Sequence, residues 1–173
     1  MTFKKFSLFD DEATEPPVDR SMGAPQVLII DDDEDLGAAL RLTLGRLYHV
    51  VLCDNAAAGI EAVSEDTSAV ILDIKMSGMD GFTCYSKIRE KDPDVPIIFH
   101  SAYQDLRDPY RIINEYRPFG YLTKGTELSV LLKTVAEAVA QRERSSRHRT
   151  LQRELASVKA KMEALRKKIG ASS

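Results

Sequence analysis

The 173 residues contain no tryptophan, only 7% aromatics and just two cysteines. Cys53 and Cys84 form no CxxC pair, which excludes a disulfide-stapled secreted module and leaves two reduced thiols expected as small core hydrophobes. Seven prolines and nine glycines are too few for a collagenous or low-complexity chain. No apolar run approaches the ~20 residues of a bilayer-spanning helix. Near the N-terminus, Phe3, Phe6, Leu8 and Phe9 are interrupted by Lys4 and Lys5 and followed by Asp10 and Asp11, so the apolar core of a signal peptide is missing too. The expectation is a cytoplasmic protein without a membrane span.

What is present is charge, unevenly spread. Residues 141–173 carry ten basic and three acidic side chains, a net of +7, and residues 1–140 the remaining 14 basic and 24 acidic, a net of -10. An acidic body therefore leads into a basic tail. Residues 1–24, with Pro16, Pro17 and Gly23 and no sustained period, are expected to be a disordered lead. Scattered phenylalanines there offer at most a docking motif.

Residues 25–140 alternate short continuous apolar runs with helical periods. Val27–Ile30, Val50–Leu52, Ala69–Leu72, Val95–Phe99 and Gly120–Leu122 read as strands buried on both faces. Between them, Leu36, Leu40, Leu44 and Leu47 recur at helical spacing, as do Ala58, Ala62 and Glu65, and then Phe82, Tyr85, Ile88 and Arg89. Pro109 suits the first turn of a short helix that Pro118 must end, and a fifth helix is expected from a Thr126 cap through Leu128, Leu131, Val135 and Ala138. This rhythm predicts an α/β fold, a doubly wound five-stranded parallel sheet.

In such a sheet, function gathers outside the carboxyl ends of the strands. The first strand runs into Asp31, Asp32, Asp33, Glu34 and Asp35; the third into Asp73; the fourth into Ser101 and Ala102; the fifth into Lys124. Crowded carboxylates need a cation or a proton, and a hard divalent ion such as Mg²⁺ is the natural partner for oxygen ligands. With the ion and an ammonium offsetting charge on a phosphoryl group, one carboxylate can attack phosphorus to give an acyl phosphate. A hydroxyl at Ser101 and the amine of Lys124 could hold further phosphoryl oxygens.

Blander roles exist for several of these residues. Asp33 or Asp35 suits the cap of the first helix. A calcium loop starting at Asp31 would need glycine where Leu36 stands. His49, His100 and His148 share no metal-ligand spacing.

Taken in order, VLIIDDDEDL, AVILDIKMSGMDGF, IIFHSAY and GYLTKG resemble the receiver domain of two-component response regulators over residues 25–140. The resemblance implies the flavodoxin-like strand order 2-1-3-4-5. It makes Asp73 the phosphoacceptor and Asp32 a direct Mg²⁺ ligand, with Asp31 supporting and the backbone carbonyl of Lys75 completing the set. It gives Ser101 and Lys124 to the phosphoryl group, makes Ala102 a small residue that leaves access, and pairs Tyr121 with Ser101 as the switch. It implies a histidine kinase or phosphotransfer protein as partner, and a phosphoacceptor rather than an enzyme. Two positions depart from the family pattern: Gly125 follows Lys124 where proline is usual, predicting a trans bond with a re-aimed loop or a strained cis one, and Ser77 replaces a proline common after the acceptor. A haloacid-dehalogenase-type phosphatase is the enzyme alternative, but Asp35 stands where its DxDx[ST] run needs Ser or Thr.

In the tail, Leu151, Leu155, Val158, Met162, Leu165 and Ile169 step by 4, 3, 4, 3 and 4, a coiled-coil seam of 19 residues, about 28 Å long. An amphipathic helix packed on the same molecule is the other reading. The apolar-free RERSSRHR before the seam is either a solvated helical spacer or a hinge. By heptad position the flanks are Lys159, Lys161, Arg166 and Lys168 with Glu154 as the acidic exception, so an acidic partner helix or another anionic surface, including the acidic receiver itself, is expected over simple self-association. Association of the basic tail with nucleic acid is the alternative output, though base-reading residues for specific DNA recognition are missing.

Overall fold

The computed structural model describes residues 23–102 and 109–170. The lead through residue 22, including Phe3, Phe6, Leu8 and Phe9, lies outside the described residues. Among the described residues, five strands alternate with five helices: β1 Gln26–Ile30, α1 Glu34–Leu44, β2 His49–Cys53, α2 Ala56–Ala62, β3 Thr67–Leu72, α3 Gly81–Lys91, β4 Ile97–Ser101, α4 Pro109–Tyr116, β5 Gly120–Thr123 and α5 Leu128–Gly170. All strand pairs are parallel, in the order β2-β1-β3-β4-β5. This is the expected doubly wound sheet.

Both faces of the sheet are covered, which is why the strands read as continuous apolar runs. On one side Leu28, Ile30, Val70, Leu72, Ile97 and Phe99 pack with Cys84, Tyr85 and Ile88 of α3 and Ile112 of α4. On the other, Val27, Ile29, Ala69, Ile71 and Ile98 meet Leu40 and Leu44 of α1 and Leu131, Val135, Ala138 and Val139 of α5. Both cysteines are buried and free. Burial pushes the Cys84 thiol up to about 11, so it is an inert core group.

Local chemistry sets most boundaries. Asp33, Asn55 and Asp80 cap α1, α2 and α3 by accepting from the backbone N–H three residues on. Gly81 is required at the start of α3, because a Cβ there would lie 2.2 Å from the carbonyl oxygen of Asp73 and 2.6 Å from Cα of Ile74.

The structure departs from the sequence reading at several points. α1 stops at Leu44, where Gly45 caps it, so Leu47 falls outside the helix and is exposed. Glu65 likewise lies beyond α2, which ends at Ala62. β4 is shifted two residues forward to Ile97–Ser101: Pro96 has no N–H for a ladder, and only its carbonyl contributes, to Val70. Thr126 does not cap α5; Val130 and Leu131 both donate to the carbonyl of Glu127, while the Thr126 hydroxyl sits 3.1 Å from that of Thr123. Every described peptide is trans, including Lys124–Gly125, and Gly125 turns the chain at φ +97°. Glycine is the residue that adopts this left-handed backbone without strain.

The polar stretch before the seam is helix, not hinge. α5 runs unbroken for 43 residues, about 64 Å at 1.5 Å per residue. Its root is fastened to the loop entering β4: buried Arg142 makes a two-pronged ion pair with Asp92, and Arg149 reaches Asp94 at 2.6 Å. Asp92 also accepts from the N–H groups of Asp94 and Val95, so one carboxylate organises the loop and grips the helix. Burial pushes that carboxyl up, but Arg142 and the two N–H groups outweigh it and hold it below its ordinary value. Beyond this clasp Leu151, Leu155, Val158 and Met162 are all more than half exposed. The side chains of Leu165 and Ile169 lie outside the described residues.

Candidate phosphoacceptor site

The ends of β1, β3, β4 and β5 bring the expected residues to one mouth. Asp31 and Asp73 are buried there, each 3% exposed, on neighbouring strands whose ends are joined by the Asp73 N–H donating to the carbonyl of Ile30. Lys124, just past β5, is drawn in by its own N–H donating to the carbonyl of Ser101. Its Nζ lies 2.7 Å from Asp73 Oδ2 and 3.0 Å from Asp31 Oδ2. The other Asp73 oxygen accepts from the Lys75 N–H at 3.1 Å, and Asp31 Oδ1 accepts from the Asp33 N–H at 3.0 Å. Ser101 is fully buried at the end of β4, with Ala102 half-buried after it.

Asp32 is exposed and anchored across the mouth. Its Oδ2 accepts from both the N–H and the hydroxyl of Ser77, at 2.8 and 2.9 Å. Sequence reasoning noted Ser77 only as a missing proline. Proline would supply neither donor, so the departure from the family pattern is what ties the loop after Asp73 to Asp32. A hydroxyl in that loop was the one available signal, and it did not name its partner.

The electrostatics are unbalanced. Burial raises the Asp31 carboxyl above its ordinary value, and the charge of Asp73 adds to that, against the Asp33 N–H and Lys124. The Ser77 N–H holds Asp32 below the ordinary carboxylate value. Burial works against the Lys124 ammonium, but the hydrogen bonds to Asp73 and Asp31 outweigh it and keep the lysine protonated. Three carboxylates thus face one ammonium. One oxygen from each of Asp31, Asp32 and Asp73 falls within a set spanning no more than 4.8 Å, an all-oxygen donor group that suits a hard divalent cation.

Behind the mouth, His100 is buried on β4 and its Nδ1 has no hydrogen-bond partner among the described residues. Burial and the charge of Lys124 lower its pKa. Tyr121, paired with Phe99 across β4 and β5, packs on the core cluster that contains Phe99. Lys75 is exposed at the rim.

The Response regulator receiver domain profile matches residues 27–136. The chain belongs to that family. The receiver is 30% identical over 132 residues to the C4-dicarboxylate transport transcriptional regulatory protein DctD of Rhizobium meliloti (strain 1021), covering 75% of this chain and 28% of that protein. It is 29% identical over 128 residues to the DNA-binding transcriptional regulator NtrC of Escherichia coli (strain K12), covering 73% and 27%. The chain therefore spans under a third of the length of these relatives. Among solved structures, a response regulator receiver domain protein (CheY-like) from Methanospirillum hungatei JF-1 superposes with a TM-score of 0.62 at 23% identity, over 70% of this chain and 98% of that one. A structure titled adenylate cyclase from Rhodopirellula baltica gives 0.67 at 23% identity, over 75% and 98%. At such identities the structural likeness concerns the fold. Receivers are phosphoacceptor signalling domains rather than catalysts, and Mg²⁺ is typical of them. Family membership selects this reading over the phosphatase suggested by Asp31 and Asp33. No helix among the described residues is long and apolar enough to cross a membrane.

Proposed function

We propose that this receiver takes a phosphoryl group from the phosphohistidine of a histidine kinase or phosphotransfer protein onto Asp73, in the cytoplasm. The observation that carries the reading is the imbalance at the mouth: Asp31, Asp32 and Asp73 share a donor set within 4.8 Å against the Lys124 ammonium, 2.7 Å from Asp73. An Asp73 carboxylate oxygen attacks phosphorus, the P–N bond breaks, and its electron pair returns to the imidazole of the donor. Asp31, Asp32, Asp73 and the backbone carbonyl of Lys75 would hold Mg²⁺, which supplies positive charge to the phosphoryl oxygens. Lys124 exchanges its carboxylate partner for a phosphoryl oxygen, Ser101 donates its hydroxyl to another, and Ala102 leaves room for the incoming group. As Ser101 is drawn in, Tyr121 follows, and the β5–α5 side carries the change. Slow loss of the acyl phosphate to water is the only turnover expected.

Output passes through α5 and its seam at Leu151, Leu155, Val158, Met162, Leu165 and Ile169 as a protein-interaction element, by a partner protein or self-association. The net +7 of residues 141–173 favours nucleic-acid association as the second reading. Incubation with a radiolabelled phospho-donor tests the central step. Label should enter the wild-type chain in Mg²⁺, be released by alkali, and be absent from Asp73→Asn. Label retained in that variant would refute the assignment.

A further inference from the structure

We infer that the exposed stripe of α5 is a docking face for an acidic amphipathic helix from another protein. The inference rests on reading the tail as the output element and names its partner.

The receiver itself cannot cover the stripe. Leu131, Val135 and Ala138 are buried on the sheet, and Arg142 and Arg149 continue the same helix face down to Asp92 and Asp94. At 100° per residue, Leu151, Leu155, Val158 and Met162 centre about 160° around the helix from that face. Because α5 is unbroken and clasped at its root, the stripe looks away from the body over its whole described length.

A second copy is a poor occupant. In a parallel pair the heptad positions set Glu154 against Lys159 of the other chain, but Lys161 against Arg166. In an antiparallel pair Glu154 meets Lys168, while Lys159 and Lys161 each face their own counterpart. Attractions and repulsions cancel in both orientations, and Val158 holds a d position where parallel dimers prefer leucine.

Among the described residues, the acids of the body that pair with α5 are Asp92 and Asp94, and they engage Arg142 and Arg149 at its root. Lys159, Lys161 and Arg166 are exposed with no ion pair among the described residues. An incoming helix with apolar a and d residues and glutamates at e and g satisfies every basic flank at once and meets repulsion only at Glu154. The narrow 4-3 stripe without aromatics is the shape of a helix seam, and this favours a helix over a lipid surface or a nucleic-acid backbone.

The test uses the full chain and a labelled 21-residue probe helix with leucine at a and d and glutamate at e and g, followed by fluorescence anisotropy at low salt. The acidic probe should bind at least about tenfold more tightly than one with glutamine at e and g, since the several flanking pairs act together. Salt should erase the difference. The double substitution Leu155→Asp with Met162→Asp should abolish binding, with an unchanged melting temperature showing that the receiver is intact. Equal affinity for both probes, equal binding of a composition-matched scrambled probe, or a homodimer too tight to admit the probe would each overturn the inference. So would duplex DNA or anionic vesicles binding more tightly than the probe and indifferently to the double substitution. Phosphoryl uptake at Asp73, scored on the same preparations, fails separately if the receiver reading is wrong.

Discussion

The two ends of the sheet use the same side-chain chemistry to opposite effect. Where the tail leaves, two arginines meet two aspartates: Arg142 pairs with Asp92 and Arg149 with Asp94. At the candidate phosphoacceptor mouth, three aspartates share one lysine. A balanced set is complete as it stands and holds one element against another. An unbalanced set persists only because the sheet and two loops force it together, and it is finished by a ligand that brings positive charge. Charge count within a contact cluster, rather than the number of ion pairs, separates a clasp from a site.

The sharpest way to break this comparison is at the clasp. Arg142→Ala leaves Asp92 half-buried beside α5 without its cation, and should lower unfolding free energy by about 3 kcal/mol in chemical denaturation. Arg149→Ala, at an exposed pair, should cost less than about 1 kcal/mol. Equal costs would mean that burial does not distinguish the two pairs. At the mouth the sign reverses with ligand: Mg²⁺ at ten times its Kd should add about 1.4 kcal/mol to wild-type stability, read as a raised melting temperature. Asp32→Asn should blunt that gain, whereas Arg142→Ala should keep it. Ser77→Ala removes one of the two hydrogen bonds orienting Asp32 and should weaken Mg²⁺ binding a few-fold, about 1 kcal/mol or less, with little change in metal-free stability.

The smallest effect is in pH. Burial and Lys124 place the folded pKa of His100 below the 6.5 of the unfolded chain, so the unfolded chain takes up that proton first. The stability contributed by neutral His100 is complete above pH 6.5 and lost as pH falls through it toward the depressed folded value. His100→Gln should flatten denaturation midpoints across that window; an unchanged slope would assign it to other groups.

Much of this was legible in the sequence, for physical reasons. A strand buried on both faces must be continuously apolar, so β1 and β3 announced themselves, and with them Asp31, Asp32 and Asp73 at their ends. The order of the four segments carried the family. What escaped were the long-range polar contacts made by residues away from the strand ends. Ser77 reaches Asp32 over 45 positions, and Arg142 reaches Asp92 over 50. Neither contact has a period or a motif. The same blindness made RERSSRHR read as a possible hinge: without apolar residues it shows no helical stripe, yet Arg142 and Arg149, its first and last residues, fasten it to the body as unbroken helix. Helix ends moved where one residue decided, as with Gly45 stopping α1 short of Leu47.

The central claim, that the mouth is a metal-completed phosphoryl site and the clasp is not, is tested most directly by fluorine NMR of the chain with beryllofluoride, a phosphoryl mimic. Bound resonances should appear in wild type and in Arg142→Ala when Mg²⁺ is present, and vanish with a chelator or in Asp73→Asn. Resonances that survive chelation or the loss of Asp73, or that never appear in the wild-type chain, would contradict the account.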